Sequence, residues 1–344
     1  KDFWHNFYIK GLGEFFYRNQ INPTGLAQFL YTENKEENIN SALEYSAEKL
    51  LILFGWGKDS LVSVELTKQK NLSFDLFSFG KEYPLHQLAQ APTWAKRLII
   101  QRTLDLPQIQ KLLAEGYYNG HLPITGIICF VTAVVSYLYG YKSVITSLEK
   151  SADFWNTDYH GLNINHQRSK SSEFEESFKD YAQTYLLKNF ECKSLIRNRY
   201  EIKVVQEFSK YPQYFHAFSS CNRNFHLAGT KLTGDQLWCG VCPKCAFVYT
   251  MLRAFLGKEK TNQIFARDLF IDETLVPLFS ELLGISGIKP FECVGTNEEM
   301  ILAFRLIFQK ENKSDSPIMQ AFVNQVMSKM TDDDFQLLEE KLLN

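Results

Sequence analysis

The amino-acid sequence predicts an α/β protein with a mostly parallel sheet and helices on both of its faces. Short apolar runs alternate with helix-length segments along the chain, which is typical of βαβ units. Hydrophobic residues make up 45% of the 344 residues and charged residues 22%. This composition indicates a globular protein and excludes a disordered or collagen-like chain. Since one domain commonly takes about 150 residues, we expect more than one part.

Four segments carry the strand pattern, and a helix pattern follows the first of them at residues 59–70. Continuous apolar runs of this length are typical of strands buried on both faces. In an open α/β sheet the ligand binds beyond the carboxyl ends of the strands. We therefore expect the segments that follow Phe54, Phe79 and Ser147 to converge on one cleft. The predicted strands are 50–54, 74–79, 97–100 and 143–147.

The chain divides into three predicted parts. Residues 1–45 form an aromatic-rich N-terminal layer, and residues 46–250 form the α/β core that includes a cysteine cluster. Residues 251–344 form a helical C-terminal region, whose last helix begins with a capping-box pattern at residues 331–334.

One apolar segment is a candidate for a membrane-spanning helix. Residues 117–141 contain no Asp, Glu, Lys or Arg, but a spanning helix needs about 20 apolar residues and Pro123 interrupts this one. We expect a helix packed between the sheet and a second layer.

The chain opens without a signal-peptide pattern, and its seven cysteines are an odd number, so we expect a cytoplasmic protein. The net charge of -2 disfavours nucleic acid as a partner.

The sharpest local signal lies between the first predicted strand and the helix that follows it. Glycines at such a turn let backbone amides wrap a phosphate, and the helix N-terminus favours negative charge. A plain strand-to-helix turn capped by Asp59 or Ser60 is the alternative. The residues of this candidate phosphate loop are Phe54, Gly55, Trp56, Gly57, Lys58, Asp59 and Ser60.

This loop resembles that of the PP-loop ATP pyrophosphatases, whose fold is Rossmann-like (HUP-type). Further segments, in order along the chain, resemble the ATP-dependent epimerases of UDP-N-acetylmuramoyl-L-alanyl-L-glutamate. Trp56 stands where that family's loop has glycine, which predicts backbone strain if φ is positive there. The segments are 120–123, 149–152, 165–167, 169–170, 173–175, 220–225, 238–245 and 291–295.

The resemblance implies conversion of the terminal L-glutamate to D-glutamate through an acyl-adenylate, with release of AMP and pyrophosphate in peptidoglycan precursor synthesis. It also implies ATP and Mg²⁺ as cofactors and the UDP-linked muramoyl dipeptide as substrate. Epimerisation needs a base and an acid, for which His166 and Lys170 are candidates. Glu149 and Asp59 are further catalytic or metal-binding candidates. The candidate substrate-binding residues are His121, Asn165, Gln167, Arg223 and Lys244.

Four cysteines form a C-x17-C-x2-C-x2-C pattern, namely Cys221, Cys239, Cys242 and Cys245. Thiolates on a tight turn can hold one side of a tetrahedral zinc ion, so we predict a structural Zn²⁺ site. A set of reduced, packed cysteines is the alternative, and a redox pair formed by Cys242 and Cys245 is a third possibility.

Two other functions fit the same residues. The first is another PP-loop adenylating enzyme that modifies a nucleobase or tRNA, which an RNA-binding assay would distinguish. The second is a non-catalytic nucleotide-binding descendant, which would show no ATP turnover.

Overall fold

The fold was analysed in a computed structural model, which describes residues 2–26, 28–29, 42–44, 47–80, 84–225, 237–311 and 316–344. In these ranges a five-stranded parallel sheet has the order β3-β2-β1-β4-β7, and β5 and β6 form a separate antiparallel pair. The strands are β1 Lys49–Leu53, β2 Phe74–Phe79, β3 Arg97–Ile100, β4 Tyr141–Ile145, β5 Thr157–Tyr159, β6 Leu162–Ile164 and β7 Glu191–Lys193.

All four predicted strands are confirmed, and two of them have the predicted bounds. The helix predicted at residues 59–70 is α3. Within the described ranges the α-helices are α1 Asp2–Gly11, α2 Gly13–Arg18, α3 Lys58–Gln69, α4 Pro84–Gln90, α5 Leu106–Ala114, α6 Ile124–Tyr139, α7 Ser172–Tyr185, α8 Glu201–Phe208, α9 Asn222–Phe225, α10 Pro243–Leu256, α11 Lys258–Phe265, α12 Val276–Leu282, α13 Asn297–Glu311, α14 Pro317–Gln325 and α15 Asp332–Leu343.

Helices flank the sheet because successive residues of each strand point to opposite faces. On β1, Ile52 packs into a large cluster with residues of α3, α8, α10 and the C-terminal helices. Its neighbour Leu51 packs into a second cluster with residues of α6 and α7. The same alternation places Leu76 and Ile145 in the first cluster and Phe77 and Val144 in the second, so β2 and β4 are also buried on both faces.

The strand order reverses between β1 and β4. The chain runs from β1 outward through β2 to β3 and then returns to place β4 on the other side of β1. Because β1, β2 and β4 are parallel neighbours, their carboxyl ends lie at the same edge of the sheet. The carboxyl ends therefore lie together as predicted, although residues 81–83 of the segment after β2 lie outside the described residues. Such a reversal is where ligands bind in open α/β sheets.

Helix α6 lies in the apolar segment 117–141, the candidate for a membrane-spanning helix. None of the helices in the described ranges is both long enough and apolar enough to cross a bilayer. Cys129 and Ala133 on one side of α6 are buried against the sheet, but Val134 and Leu138 are 60% and 66% exposed. The expected second layer therefore covers only part of the helix, because Phe130 packs against aromatic residues of α1 whereas Val134 and Leu138 remain accessible.

The N-terminal and C-terminal parts add helices around this core. Aromatic residues of α1 pack on α6 and α7, where Trp4 stacks on Phe130 with the ring centroids 5.1 Å apart. At the other end of the chain, Thr331 and Asp334 form the predicted capping box of α15. The short helix α2 carries Glu14 into the interior, where it reaches the candidate site.

Candidate active site

The loop between β1 and α3 leaves space beside its backbone. A Cβ atom at Gly55 or Gly57 would meet no heavy atom within 4 Å. Gly57 is the N-cap of α3, and the Ser60 hydroxyl donates to the Gly57 carbonyl at 2.9 Å. A helix N-terminus with an accessible glycine backbone fits the chemistry of a phosphate group.

Trp56 has a φ of 45°, which is the left-handed region that favours glycine. The predicted strain is therefore present, at a cost of about 1 kcal/mol. The Trp56 indole is only 6% exposed and packs within the large apolar cluster, against His86. Burial of the indole in the core offsets the strain, and it leaves the space beside Gly55 and Gly57 open.

Lys58 joins two carboxylates below the loop. Its Nζ lies 2.6 Å from Asp59 Oδ1 and 2.6 Å from Glu201 Oε1, and its side chain is 1% exposed. Lys244 Nζ lies 3.1 Å from the same Glu201 oxygen. Burial disfavours the Glu201 carboxylate, but Lys244 and Lys58 lower its pKa to about 2. Lys58, a predicted phosphate ligand, is thus paired with the buried Glu201 and the partly exposed Asp59.

Glu149 follows β4 and is 5% exposed. Burial, together with the negative charges of Glu201 and Asp59, raises its pKa to about 7. A carboxyl group that titrates near neutral pH can give or take a proton, as a general acid or base must. The structure thus brings Glu149 and Asp59 together at the carboxyl ends of β1 and β4.

His166 is held by a carboxylate from the N-terminal layer. His166 Nδ1 lies 2.5 Å from Glu14 Oε2, and His121 Nδ1 lies 3.7 Å from the same oxygen. Burial opposes the charged imidazole of His166, but hydrogen bonds with Cys293 and Glu14 outweigh it and raise its pKa to about 9. Burial and the nearby His166 charge lower the pKa of His121 to about 4. One imidazole is therefore charged at neutral pH and the other is neutral.

Lys170 and Cys293 meet beside His166. Lys170 Nζ donates to Cys293 Sγ at 3.0 Å, and His166 lies near enough for its charge to act on the Cys293 thiol. Burial favours the neutral thiol, but Lys170 and His166 hold the pKa of Cys293 well below its ordinary value. Burial likewise disfavours the Lys170 ammonium, while Cys293 and Glu149 raise its pKa. The site thus contains a thiolate between two cations.

Two of the remaining predicted substrate ligands, Asn165 and Gln167, flank His166 in the sequence and are buried. The Asn165 amide donates to the Ala152 carbonyl at 2.9 Å, and the Gln167 amide donates to the Val294 carbonyl at 3.3 Å. These two side chains position the backbone on either side of His166. Arg223 lies exposed on α9, beside a stretch outside the described residues.

The four clustered cysteines come together as their spacing predicted. Their sulfur atoms all lie within 4.8 Å of one another, and the Sγ atoms of Cys239 and Cys245 are 3.6 Å apart. Four sulfurs at about 2.3 Å from one zinc ion would be about 3.8 Å apart. The residues Cys221, Cys239, Cys242 and Cys245 can therefore hold a metal ion.

Sequence reasoning missed three residues of the site, Glu14, Glu201 and Cys293. Glu14 and Glu201 lie in ordinary helical segments that carry no chemical pattern. Cys293 lies within the 291–295 segment that supported the family resemblance. The segment was therefore noticed, but no chemical role was assigned to its cysteine. Only the packing of α2, α8 and this segment shows that the three side chains point into one site.

Comparison with known proteins identifies related sequences. The family model of the MurL N-terminal domain matches residues 1–195, and that of the MurL C-terminal domain matches residues 217–336. A UDP-N-acetyl-alpha-D-muramoyl-L-alanyl-L-glutamate epimerase of Xanthomonas oryzae pv. oryzae is 32% identical over 331 residues, covering 96% of this chain and 72% of the relative.

Two further relatives with the same name come from other bacteria. The protein of Micromonospora sp. is 34% identical over 321 residues, which is 93% of this chain and 70% of the relative. The protein of Salinispora tropica is 33% identical over 321 residues, which is 93% of this chain and 68% of the relative.

Proposed function

The chain belongs to the MurL family, and on that premise we propose that it converts the terminal L-glutamate of UDP-MurNAc-L-Ala-L-Glu to D-glutamate. The observation that carries this proposal is the match to three proteins named as this epimerase over more than nine-tenths of the chain. The free cysteines fit the reducing cytoplasm, where we place the protein.

We propose further that the reaction uses ATP and releases AMP and pyrophosphate. The Cα proton of glutamate is very weakly acidic beside an ionised carboxylate, because the resulting dianion is poorly stabilised. Activation of the carboxylate as an acyl-adenylate removes that negative charge and makes the carbonyl an electron sink. The Cα proton then becomes accessible to a side chain that acts as a general base.

The loop that precedes α3 supports a PP-loop assignment for the nucleotide site. The backbone beside Gly55 and Gly57 is open, and α3 points its N-terminus at that space. Magnesium, when bound, would neutralise phosphate charge, and the partly exposed Asp59 carboxylate is its candidate ligand. Below this region the buried Glu201 carboxylate is neutralised by ion pairs with Lys58 and Lys244.

The proton-transfer part of the site lies around His166 and Lys170. Glu14 fixes the His166 ring through Nδ1, so the imidazolium is held in one orientation. Lys170 is buried and cationic, and it can stabilise negative charge that develops on the substrate. Glu149, with its pKa raised to about 7, can carry protons between the two regions.

The four cysteines support a separate, structural proposal. We place a zinc ion between Cys221, Cys239, Cys242 and Cys245, because four closely spaced thiols are the donor set that zinc prefers. Such an ion would hold the start of α10, which carries Lys244, against the segment that follows Ser220.

The decisive experiment follows stereochemistry and nucleotide together. The protein is incubated with Mg²⁺, ATP and UDP-MurNAc-L-Ala-L-Glu, and D-glutamate and AMP are quantified after hydrolysis of the product. We expect D-glutamate to form only when ATP is present, and we expect the amount of AMP to rise with the amount of D-glutamate. AMP without D-glutamate would indicate another adenylating enzyme, and neither product would contradict the proposal.

A variant tests the nucleotide loop without disturbing the fold. Gly57→Ala adds a Cβ into space that is empty in the protein, at an unstrained φ of -76°. We expect weaker ATP binding with unchanged thermal stability. Equal ATP affinity in Gly57→Ala and wild type would argue against phosphate binding at this loop.

A further inference from the structure

Cys293 occupies a position unlike that of any other cysteine in the chain. Cys129 and Cys192 are buried in the apolar core, and the other four cysteines form the metal-binding cluster. Cys293 is partly accessible and receives a hydrogen bond from Lys170 Nζ at 3.0 Å. It is the one cysteine of the seven whose sulfur is hydrogen-bonded to a candidate catalytic residue.

The surroundings of Cys293 favour its charged form. Lys170 contributes a buried ammonium, and His166 contributes an imidazole whose own charge is supported by Glu14 at 2.5 Å. Cationic neighbours convert a thiol to a thiolate, which is the basic and nucleophilic form of cysteine. The result is a thiolate that is paired with the Lys170 ammonium and lies near the His166 imidazolium.

Epimerisation at a carbon atom needs one group that accepts a proton and another that donates one from the opposite face. A thiolate next to an imidazolium supplies both at once, whereas His166 and Lys170 alone supply two cations. The geometry therefore provides the base that the cationic pair lacks.

We propose that Cys293 is a catalytic residue, the base that removes the Cα proton of the activated glutamyl group, and that His166 returns a proton to the other face. This role rests on the proposed function. The substrate Cα enters between the two side chains. Lys170 keeps the sulfur anionic before the proton arrives.

The proton and electron balance closes without a further reactant. The Cα–H bond breaks, an S–H bond forms, and the electron pair moves onto the carbonyl oxygen as an enolate. The imidazolium N–H then breaks as the new Cα–H bond forms and the pair returns from oxygen. The Cys293 thiol finally passes its proton to neutral His166, which restores the starting thiolate and imidazolium.

The test compares wild type, Cys293→Ser and Cys293→Ala with Mg²⁺, ATP and UDP-MurNAc-L-Ala-L-Glu in deuterated water. We expect both variants to keep AMP formation, while D-glutamate and deuterium at Cα fall by about 100-fold or more. Cys129→Ala, which removes a buried core thiol, serves as the matched control and should keep both activities.

Three outcomes would overturn the role of Cys293. If D-glutamate formation persists within about tenfold in Cys293→Ala, the sulfur is not the base, because loss of a general base costs more. If the variants lose AMP release but keep ATP–pyrophosphate exchange, the sulfur acts as a nucleophile instead. If the wild type forms neither product, the proposed function fails and this role falls with it.

A chemical measurement tests the thiolate even if the Cys293 variants fold poorly. Wild-type protein is alkylated with iodoacetamide across a range of pH, and Cys293 is quantified by peptide mass spectrometry. We expect alkylation at pH 6, well below the ordinary cysteine pKa of about 8.5, and a shift to alkaline pH in Lys170→Met. A wild-type profile that rises only near pH 8.5 would overturn the proposal.

Discussion

Replacing Glu14 by Gln should lower the pKa of His166. The carboxylate oxygen lies 2.5 Å from His166 Nδ1, and the Glu14 side chain is only 5% exposed, so solvent screens the pair weakly. Burial disfavours the imidazolium, and the hydrogen bonds with Cys293 and Glu14 together raise its pKa to about 9. Glutamine keeps the shape and removes the charge.

The expected size of this change follows from the loss of one close opposite charge. Such a partner within hydrogen-bond distance shifts a pKa by about one to three pH units, or about 1.4 to 4 kcal/mol of differential stabilisation. Because the hydrogen bond with Cys293 remains, we expect a fall from about 9 toward the ordinary histidine value. His166 would then lose its proton within the neutral range.

Two assays follow this titration. Carbon-13 NMR of histidine-labelled protein, with His166→Asn used for assignment, reports the pKa directly. The alkaline limb of the D-glutamate pH–rate profile should move to lower pH by the same amount. Glu173→Gln, which removes an exposed carboxylate that contacts Lys10 at 2.6 Å, is the control. A His166 pKa that is unchanged in Glu14→Gln would refute the reasoning.

Three further predictions concern stability and metal. Trp56→Gly should destabilise the fold by about 3 kcal/mol in urea unfolding, because the lost buried indole outweighs the relieved φ strain; a more stable variant would contradict this. Lys58→Met should cost about 3 kcal/mol, since it leaves Glu201 with a single cationic partner, and a loss near zero would show that Lys244 suffices. Elemental analysis should find about one zinc per chain. The zinc and part of the thermal stability should be lost in Cys239→Ser but not in Cys129→Ala. A wild-type protein that contains no zinc and is no more stable than Cys239→Ser would exclude the zinc site.

Much of the fold was predictable because its signals are local. Apolar runs of strand length gave β1 to β4 within two residues, and the glycines before α3 marked the turn where a ligand can approach. The exposed face of α6 was not predictable, since the same apolar residues occur in helices that are covered on one side or on both.

The candidate site likewise has residues that the sequence could predict and residues that only the packing brings together. The spacing of Cys239, Cys242 and Cys245 brings three sulfurs together on one turn, so the sequence by itself predicted that cluster. Glu14, His166 and Cys293 come from three distant segments, and the first two are 152 positions apart in the sequence. Their charge states depend on burial and on distances between atoms, and neither quantity exists until the chain has packed. The sequence therefore determined which chemical groups the protein has, and the tertiary structure decided which of them carry charge and act together.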